Sequence, residues 1–261
     1  MGKAPLDGRR AVVTGGGRGI GAAVARSLAG AGARILVVAR SSSETEQVAA
    51  DIRREGGLAD AAVCDAAEES AVRQMGDEAR TRMGGVDILV LSAGIAASAP
   101  LRAITTADWD RMMNVNARSV FLGAREFVPD MVARGWGRVV AIASTAGLTG
   151  GKYIAHYAAS KHAVVGLVRS LAMEILGTGV TVNAVCPGYV DTPMTERTLA
   201  NVAERTGLSR AGALEAVLAT TGQDRLLTPE EVAAEVLRLC GEEARDVSGR
   251  AVVVGAGGVR A

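Results

Sequence analysis

Six short segments of the chain are apolar almost throughout, rather than at every second position. They are Ala11-Val12-Val13, Ile35-Leu36-Val37-Val38, Ile88-Leu89-Val90, Val139-Val140-Ala141-Ile142, Val180-Thr181-Val182 and Ala251-Val252-Val253-Val254, with Ala61-Ala62-Val63 a weaker seventh. A strand with one wet face alternates apolar and polar residues; a strand apolar on both faces belongs to a sheet covered on both sides, as parallel sheets are. Between these runs lie segments with helical spacing, among them Ala22 to Leu28, Glu44 to Arg54 and Val164 to Ile175. Strands alternating with helices from end to end predict an α/β fold, a doubly wound parallel seven-stranded sheet with helices on both faces. Only 3% of residues are aromatic while 49% are apolar, so the core must be built from Ala, Val, Leu and Ile.

At about 150 residues per domain, 261 residues allow one large domain or two small ones. No linker or internal repeat divides the chain, so residues 1–261 are expected to form a single domain. Its one irregular stretch, 189–227, is polar and Thr-rich, and reads as a helical insertion over the sheet edge, placed to act as a substrate lid. Thr228-Pro229-Glu230-Glu231 then supplies a hydroxyl N-cap, a proline at the first helical position and acids at the positive end of the dipole.

Lys plus Arg number 29 against 28 for Asp plus Glu, a net charge of +1, so the basic excess of a nucleic-acid binder is missing. No apolar run reaches the roughly 18 residues of a membrane span, and Met1-Gly2-Lys3-Ala4-Pro5-Leu6 lacks an apolar signal core, with Leu6 out of place for myristoylation. Cys64, Cys186 and Cys240 are far apart and odd in number, which points to reduced thiols and a cytoplasmic protein. No His, Cys or acid cluster has metal-ligand spacing.

The first run leads into Thr14-Gly15-Gly16-Gly17-Arg18-Gly19-Ile20-Gly21, followed by a helical segment. Glycines let a backbone turn sharply and approach a pyrophosphate, and a helix N-terminus adds amide donors and a positive dipole; a tight strand-to-helix turn is the plainer reading. At the end of the second strand, an acid would select NAD by binding the adenosine ribose. This chain has Ala39-Arg40. Arg40 with Arg18 could hold a 2′-phosphate through charge-assisted bonds of roughly 1.5–3 kcal/mol each, favouring NADP(H) over NAD(H), unless both are merely solvated arginines.

Tyr157 and Lys161 lie four apart, on one helical face. A cation about 4 Å away in an effective dielectric of about 20 is worth about 4 kcal/mol, enough to bring a phenol from near pKa 10 toward the range of general acid–base catalysis. Ser144, ending the run Ala141-Ile142-Ala143-Ser144, sits where open α/β sheets expose ligand-binding residues.

Seven segments in order, Thr14-Gly15-x3-Gly19-x-Gly21, Cys64-Asp65, Ala93-Gly94, Asn114-Val115-Asn116, Ile142-Ala143-Ser144, Tyr157-x3-Lys161 and Val182-Asn183-Ala184-Val185-Cys186-Pro187-Gly188, give a chain that resembles the compact, single-domain short-chain dehydrogenases/reductases over essentially its whole length. The resemblance implies a Rossmann-like domain, a homo-oligomer (a tetramer) and a small-molecule carbonyl or alcohol substrate. It implies that Ser144 binds the carbonyl, that Tyr157 exchanges the proton, and that Lys161 holds the nicotinamide ribose and lowers the tyrosine pKa. Asn116 would hold a water linking Lys161 to solvent. Gly15, Arg18, Gly19, Ile20, Gly21, Arg40, Ala93 and Gly94 would bind the dinucleotide; Asp65 would contact adenine, and Pro187, Gly188, Val190 and Thr192 the nicotinamide carboxamide. Ser144-Thr145-Ala146-Gly147 and Thr192-Pro193-Met194 are similar to ketoacyl and polyketide ketoreductases and to hydroxyacyl-CoA dehydrogenases. The alternatives are an NAD(H)-dependent hydroxyacyl-CoA or secondary-alcohol dehydrogenase and a catalytically idle dinucleotide-binding regulator. A nucleotide-sugar epimerase or dehydratase would need more C-terminal chain.

Two departures stand out. Leu91-Ser92-Ala93-Gly94 replaces the family's Asn-Asn-Ala-Gly, so Ser92 could supply only part of the usual bracing, and Gly255-Ala256-Gly257-Gly258 matches the usual ending only roughly. Of the remaining residues, His156 could touch a substrate but is expected as a partly exposed loop or helix-start histidine, His162 as packing or solvent, Cys186 as a small buried hydrophobe, Met112, Met113 and Met131 as core or interface, and Trp109 and Trp136 as packed, though either could rim a pocket.

Overall fold

A computed structural model describes residues 4–255; Met1, Gly2 and Lys3 of the opening segment and Ala256, Gly257 and Gly258 of the closing one lie outside the described residues. All seven apolar runs are strands: β1 (Arg10–Thr14), β2 (Arg34–Ala39), β3 (Leu58–Val63), β4 (Ile88–Leu91), β5 (Gly137–Ile142), β6 (Val180–Pro187) and β7 (Ala251–Val254). They pair in parallel in the order β3-β2-β1-β4-β5-β6-β7. The helices are α1 (Gly19–Gly30), α2 (Ser42–Arg54), α3 (Glu69–Met83), α4 (Thr106–Met113), α5 (Ser119–Arg134), α6 (Ala155–Glu174), α7 (Pro193–Thr206), α8 (Arg210–Ala219) and α9 (Pro229–Cys240). The sheet winds outward from β1 through β2 to β3, then returns to continue from β4, so its switch point lies between β1 and β4. A ligand crevice is expected there, at the carboxyl ends of the strands.

Successive strand residues point to opposite faces, and both faces are covered. Ala11, Val13, Ile35, Val37, Ile88 and Val90 pack with α1, α2 and α9, whereas Val12, Leu36, Val38, Leu89 and Leu91 pack with α3, α5 and α6. Each such side chain contributes roughly 1.5–3 kcal/mol by leaving water. No helix among the described residues is long and apolar enough to cross a membrane.

The tetrapeptide Thr228–Glu231 starts α9 as expected. The Thr228 hydroxyl accepts from the Glu231 amide at 3.2 Å, the Glu231 carboxylate accepts from the Thr228 amide at 2.7 Å, and Pro229 opens the helix. Residues 189–227 contain α7 and α8, which share a small apolar cluster of Leu199, Ala213 and Val217 separate from the two main ones. Both ends of this stretch are tied to the body of the fold by a bridge between Val190 and Leu227 and by Gln223, whose amide bonds the Tyr189 main chain on both sides.

Two side chains, His156 and Trp109, sit differently from their sequence reading. His156 does lie in the first turn of α6, but it is 2% exposed, because α4 packs against this end of α6. Trp109 is largely exposed on α4, while Trp136 is covered by the guanidinium of Arg9, 3.5 Å from its ring. The bracing behind the switch point comes from main chain and from Thr14: the Ser92 amide donates to the Thr14 hydroxyl at 3.2 Å, and that hydroxyl donates to the Val90 carbonyl at 3.3 Å. Leu91 turns instead into the apolar layer of α5, where Gly123 leaves it room. An amide put there would be buried in an apolar layer. Leu91→Asn should therefore lower stability by about 2–4 kcal/mol, read as a fall in the urea midpoint with an unchanged slope.

Candidate active site

The glycine turn is dictated by space. Gly15 has φ +65°, and a Cβ there would fall 2.8 Å from the Ala93 amide nitrogen; one on Gly21 would fall 2.2 Å from the Gly15 carbonyl oxygen. Gly19, at φ +54°, opens α1, with the Thr192 methyl 3.3 Å from where its Cβ would stand. No side chain caps α1 and no acid sits in its first turn, so its amide donors, with Ile20 and Gly21 in that turn, are left for an anion. This crowded, uncapped turn fits the pyrophosphate of a dinucleotide.

Beyond β2, Arg18 and Arg40 are both exposed, but the sequence reading missed their neighbour. The Arg18 guanidinium meets the Glu44 carboxylate at 3.2 Å, and Glu44 is held in the first turn of α2 by its amide bond to Ser41. The Ser-x-x-Glu spacing of a helix start was the signal for it. Arg40 has no carboxylate within ion-pair distance among the described residues. Asp65, past β3, accepts from the Ala67 amide at 3.0 Å.

The remaining groups converge beyond β4 and β5. Lys161 is 5% exposed, and its ammonium donates to the Ile142 carbonyl at 2.8 Å. Gly94 runs alongside, its Cβ position 3.3 Å from Asn116 Oδ1 and 3.6 Å from Lys161 Nζ. Asn116 is fully buried in a π-turn, Asn114–Arg118, between α4 and α5. Its Oδ1 accepts from the Ile95 amide at 2.8 Å; its Nδ2 donates to the Ile95 carbonyl at 3.0 Å and to Ser160 Oγ at 2.9 Å. Ser160 in turn donates to the Tyr157 carbonyl at 2.7 Å. One amide thus joins the loop after β4 to α6. The Ser144 Oγ accepts from the Ala146 amide at 3.1 Å, which leaves its own proton free to donate.

Burial dominates the electrostatics. It pushes the Tyr157 phenol above its ordinary pKa, with Ser144 opposing, and pulls Lys161 down to about 8, with Cys186 opposing. The expectation that Lys161 lowers the Tyr157 pKa is therefore corrected for this structure. The ammonium stands 5.9 Å from the phenol ring and is directed at Ile142, so desolvation of the phenol prevails.

Pro187 ends β6, and Gly188 follows with Gln223 so near that a Cβ would fall 2.2 Å from its Oε1. Val190 is buried, and Thr192 caps α7 by accepting from the Thr195 amide. Gly15, Ala93, Gly94, Asn116, Ser144, Tyr157, Lys161, Gly188 and Thr192 thus lie around one end of the sheet; Arg40 and Asp65 lie farther along the same rim. No group of three or more His, Cys, Asp or Glu side chains among the described residues could hold a metal ion.

The family model described as short chain dehydrogenase matches residues 9–203. A protein named as ketoacyl reductase 1 of the granaticin polyketide synthase, from Streptomyces violaceoruber, is 39% identical over 246 residues, covering 94% of this chain and 90% of its own length. D-beta-hydroxybutyrate dehydrogenase of Rhizobium meliloti is 34% identical over 254 residues, 95% of this chain and 98% of its own. Among solved structures, a variant of actinorhodin polyketide ketoreductase crystallised with NADPH superimposes with a TM-score of 0.92 at 34% identity, covering 95% of this chain and 96% of that one.

The buried ammonium carries a stability cost whose sign is fixed. Folding lowers the Lys161 pKa from 10.5 to about 8, so the unfolded chain binds this proton more tightly. The penalty is present in full below pH 8 and fades as pH rises toward 10.5. It amounts to about 3 kcal/mol, less the roughly 1 kcal/mol of the Ile142 hydrogen bond. Lys161→Met should therefore stabilise the protein at pH 7 by about 1–3 kcal/mol, the difference shrinking by pH 10; urea denaturation at both pH values measures it.

Proposed function

The chain belongs to the short chain dehydrogenase family, and within it we propose a ketoreductase that uses NADP(H) to interconvert a ketone and a secondary alcohol, of the ketoacyl or polyketide kind. The observation that carries this reading is the meeting of Ser144, Tyr157 and Lys161 beside the turn formed by Gly15, Ala93 and Gly94. The relatives named as ketoacyl reductase and as a ketoreductase with NADPH support it.

Gly94 and the glycine turn would hold a nicotinamide dinucleotide, which would supply or take up the hydride. The Tyr157 hydroxyl gives its proton to the carbonyl oxygen; because burial raises its pKa, the phenol is protonated at neutral pH, the form reduction needs. The Ser144 hydroxyl donates to the same oxygen and steadies the charge that develops there. The Lys161 ammonium holds the nicotinamide ribose, and Asn116 fixes the loop and helix between which the reacting groups lie. Arg40, with Arg18 once released from Glu44, holds the 2′-phosphate. Asp65, Pro187, Gly188, Val190 and Thr192 line the rest of the dinucleotide, and residues 189–227 close over the substrate.

We further infer a homotetramer in the cytoplasm. Phe121, Met173 and Leu176 are exposed apolar side chains that a partner copy would cover, and the three cysteines are buried and unpaired. A second reading, an NAD(H)-dependent hydroxyacid dehydrogenase, is favoured by one observation, that Glu44 already neutralises Arg18; the Rhizobium relative is named as a hydroxybutyrate dehydrogenase.

Simple ketones, β-keto thioesters and secondary alcohols, each assayed with both cofactors at the reduced-nicotinamide absorbance band, test the reading. Cofactor binding without turnover of any of them would leave only the regulator. Tyr157→Phe keeps the ring and removes the proton, so turnover should fall roughly 10²–10⁴-fold with NADPH still bound. Arg40→Ala should weaken NADPH roughly 10–100-fold and spare NADH, while Glu44→Gln should tighten NADPH severalfold. Cofactor titrations followed by fluorescence decide both, and equal losses for the two cofactors would remove Arg40 from phosphate recognition.

A further inference from the structure

Gln223 is 8% exposed, an uncommon place for a side chain that is mostly found in water. Its amide spends its whole hydrogen-bonding capacity. Oε1 accepts from the Tyr189 amide and from the Thr221 hydroxyl, both at 2.7 Å. Nε2 donates to the Tyr189 carbonyl at 3.1 Å and to the Arg225 carbonyl at 3.2 Å. The two bonds to Tyr189 are those that a paired strand residue would make. The Gln223 main chain is not placed to make them, because its own amide turns back to the Leu218 carbonyl in the last turn of α8. Next to this side-chain rung, Leu227 donates to the Tyr189 carbonyl at 3.0 Å and accepts from the Asp191 amide at 2.8 Å. Among the described residues only Gln223 takes the Tyr189 N–H. The same amide lies against Gly188, where a Cβ would fall 2.2 Å from Oε1 and 2.7 Å from Cδ.

The clamp holds one end of the segment 188–192. At the other end the Thr192 methyl lies against Gly19 of the glycine turn, while its hydroxyl caps α7. At the clamped end Tyr189 stands near Tyr157: burial is the main reason that the Tyr157 pKa is raised, and the charge of Tyr189 adds to the rise. The segment therefore runs from the turn that fits a pyrophosphate to the phenol that fits a proton donor. The nicotinamide end of a dinucleotide has to lie along that path.

We propose that Gln223 is a positioning residue for the nicotinamide end of the dinucleotide. By clamping the Gly188–Tyr189 peptide it fixes the main-chain wall for the nicotinamide ring and its carboxamide, and it has no part in holding the adenosine end. The assignment rests on the reading of this site as a dinucleotide site, but not on the choice between NADP(H) and NAD(H). An apolar side chain of similar length would fill the same space, leave the Tyr189 N–H without its partner, and free the peptide to turn.

Two pairs of ligands separate positioning from a general structural role: NADPH with 2′-phospho-ADP-ribose, and NADH with ADP-ribose, the second of each pair lacking the nicotinamide. Calorimetric titration of the wild-type protein identifies the pair that binds. Gln223→Met should weaken the dinucleotide of that pair about tenfold, the loss that goes with one neutral hydrogen bond, and its fragment by no more than about twofold. Thr221→Val removes the hydroxyl that orients the amide and should act in the same direction more weakly, whereas Thr221→Ser should bind like the wild type. These two variants carry the test if Gln223→Met does not fold. Equal losses for dinucleotide and fragment would reduce Gln223 to a structural tie, and no loss for either would remove it from the cofactor wall. A wild-type protein that holds the fragment as tightly as the dinucleotide would overturn the assignment as well. Binding of neither dinucleotide by the wild type would overturn the cofactor reading itself, and this assignment with it.

Discussion

Holding a lysine ammonium out of water is the constraint that organises this end of the molecule. Among the described residues Lys161 has one acceptor, the Ile142 carbonyl, and an ion so placed carries a desolvation penalty of several kcal/mol. The surroundings must be stiff enough to refuse it an easier position. The short turn Thr145–Gly147 lies directly against α6, so close that a Cβ on Gly147 would fall 2.8 Å from the Lys161 carbonyl oxygen. Asn116 and Ser160 clamp the other side. The apolar layers on both faces of the sheet supply the stability against which this local cost is set.

The two ends of the sheet use charge differently. At the amino ends of the strands the ions are matched: Arg10 meets Asp87 through two hydrogen bonds of 2.8 and 2.7 Å, and Arg34 meets Asp60 at 2.9 Å. Arg138, 1% exposed, lies near the Trp136 ring and donates to the Gly137 and Gly179 carbonyls. At the carboxyl ends, Lys161 and Arg40 have no carboxylate partner among the described residues, and His156 keeps a nitrogen unpaired among them. Charge is spent on structure at one end and held in reserve at the other, in keeping with the rule that open α/β sheets bind ligands at their carboxyl ends.

The fold was legible because burial on two faces leaves a signature that one-sided burial does not: Val12 and Val13 serve opposite layers, so both had to be apolar. The glycine turn was legible because Gly15 and Gly21 sit where any side chain would collide with backbone. What escaped the sequence depended on distant packing. The exposure of His156 was misjudged because α4, more than forty positions earlier, covers it. The Arg18–Glu44 pair was missed because it joins two different helix starts across the crevice. The Tyr157 pKa was read from charge alone, whereas burial, invisible in a spacing of four, outweighs the neighbouring cation.

The π-turn at Asn114–Arg118 has a consequence for which lengths of chain this architecture tolerates. The Ser119 amide reaches back five residues to the Asn114 carbonyl rather than four, so the rod from α4 through α5 carries one residue beyond a regular helix. Asn116, inside this turn, reaches Ser160 of α6, while Phe127 and Met131 beyond it pack into the apolar layer against the sheet. A single deletion between 114 and 118 would restore ideal helix geometry and, in doing so, rotate everything after it by about 100°. In this stretch a gap is more damaging than a substitution, because residue count, rather than residue identity, sets the phase of the helix.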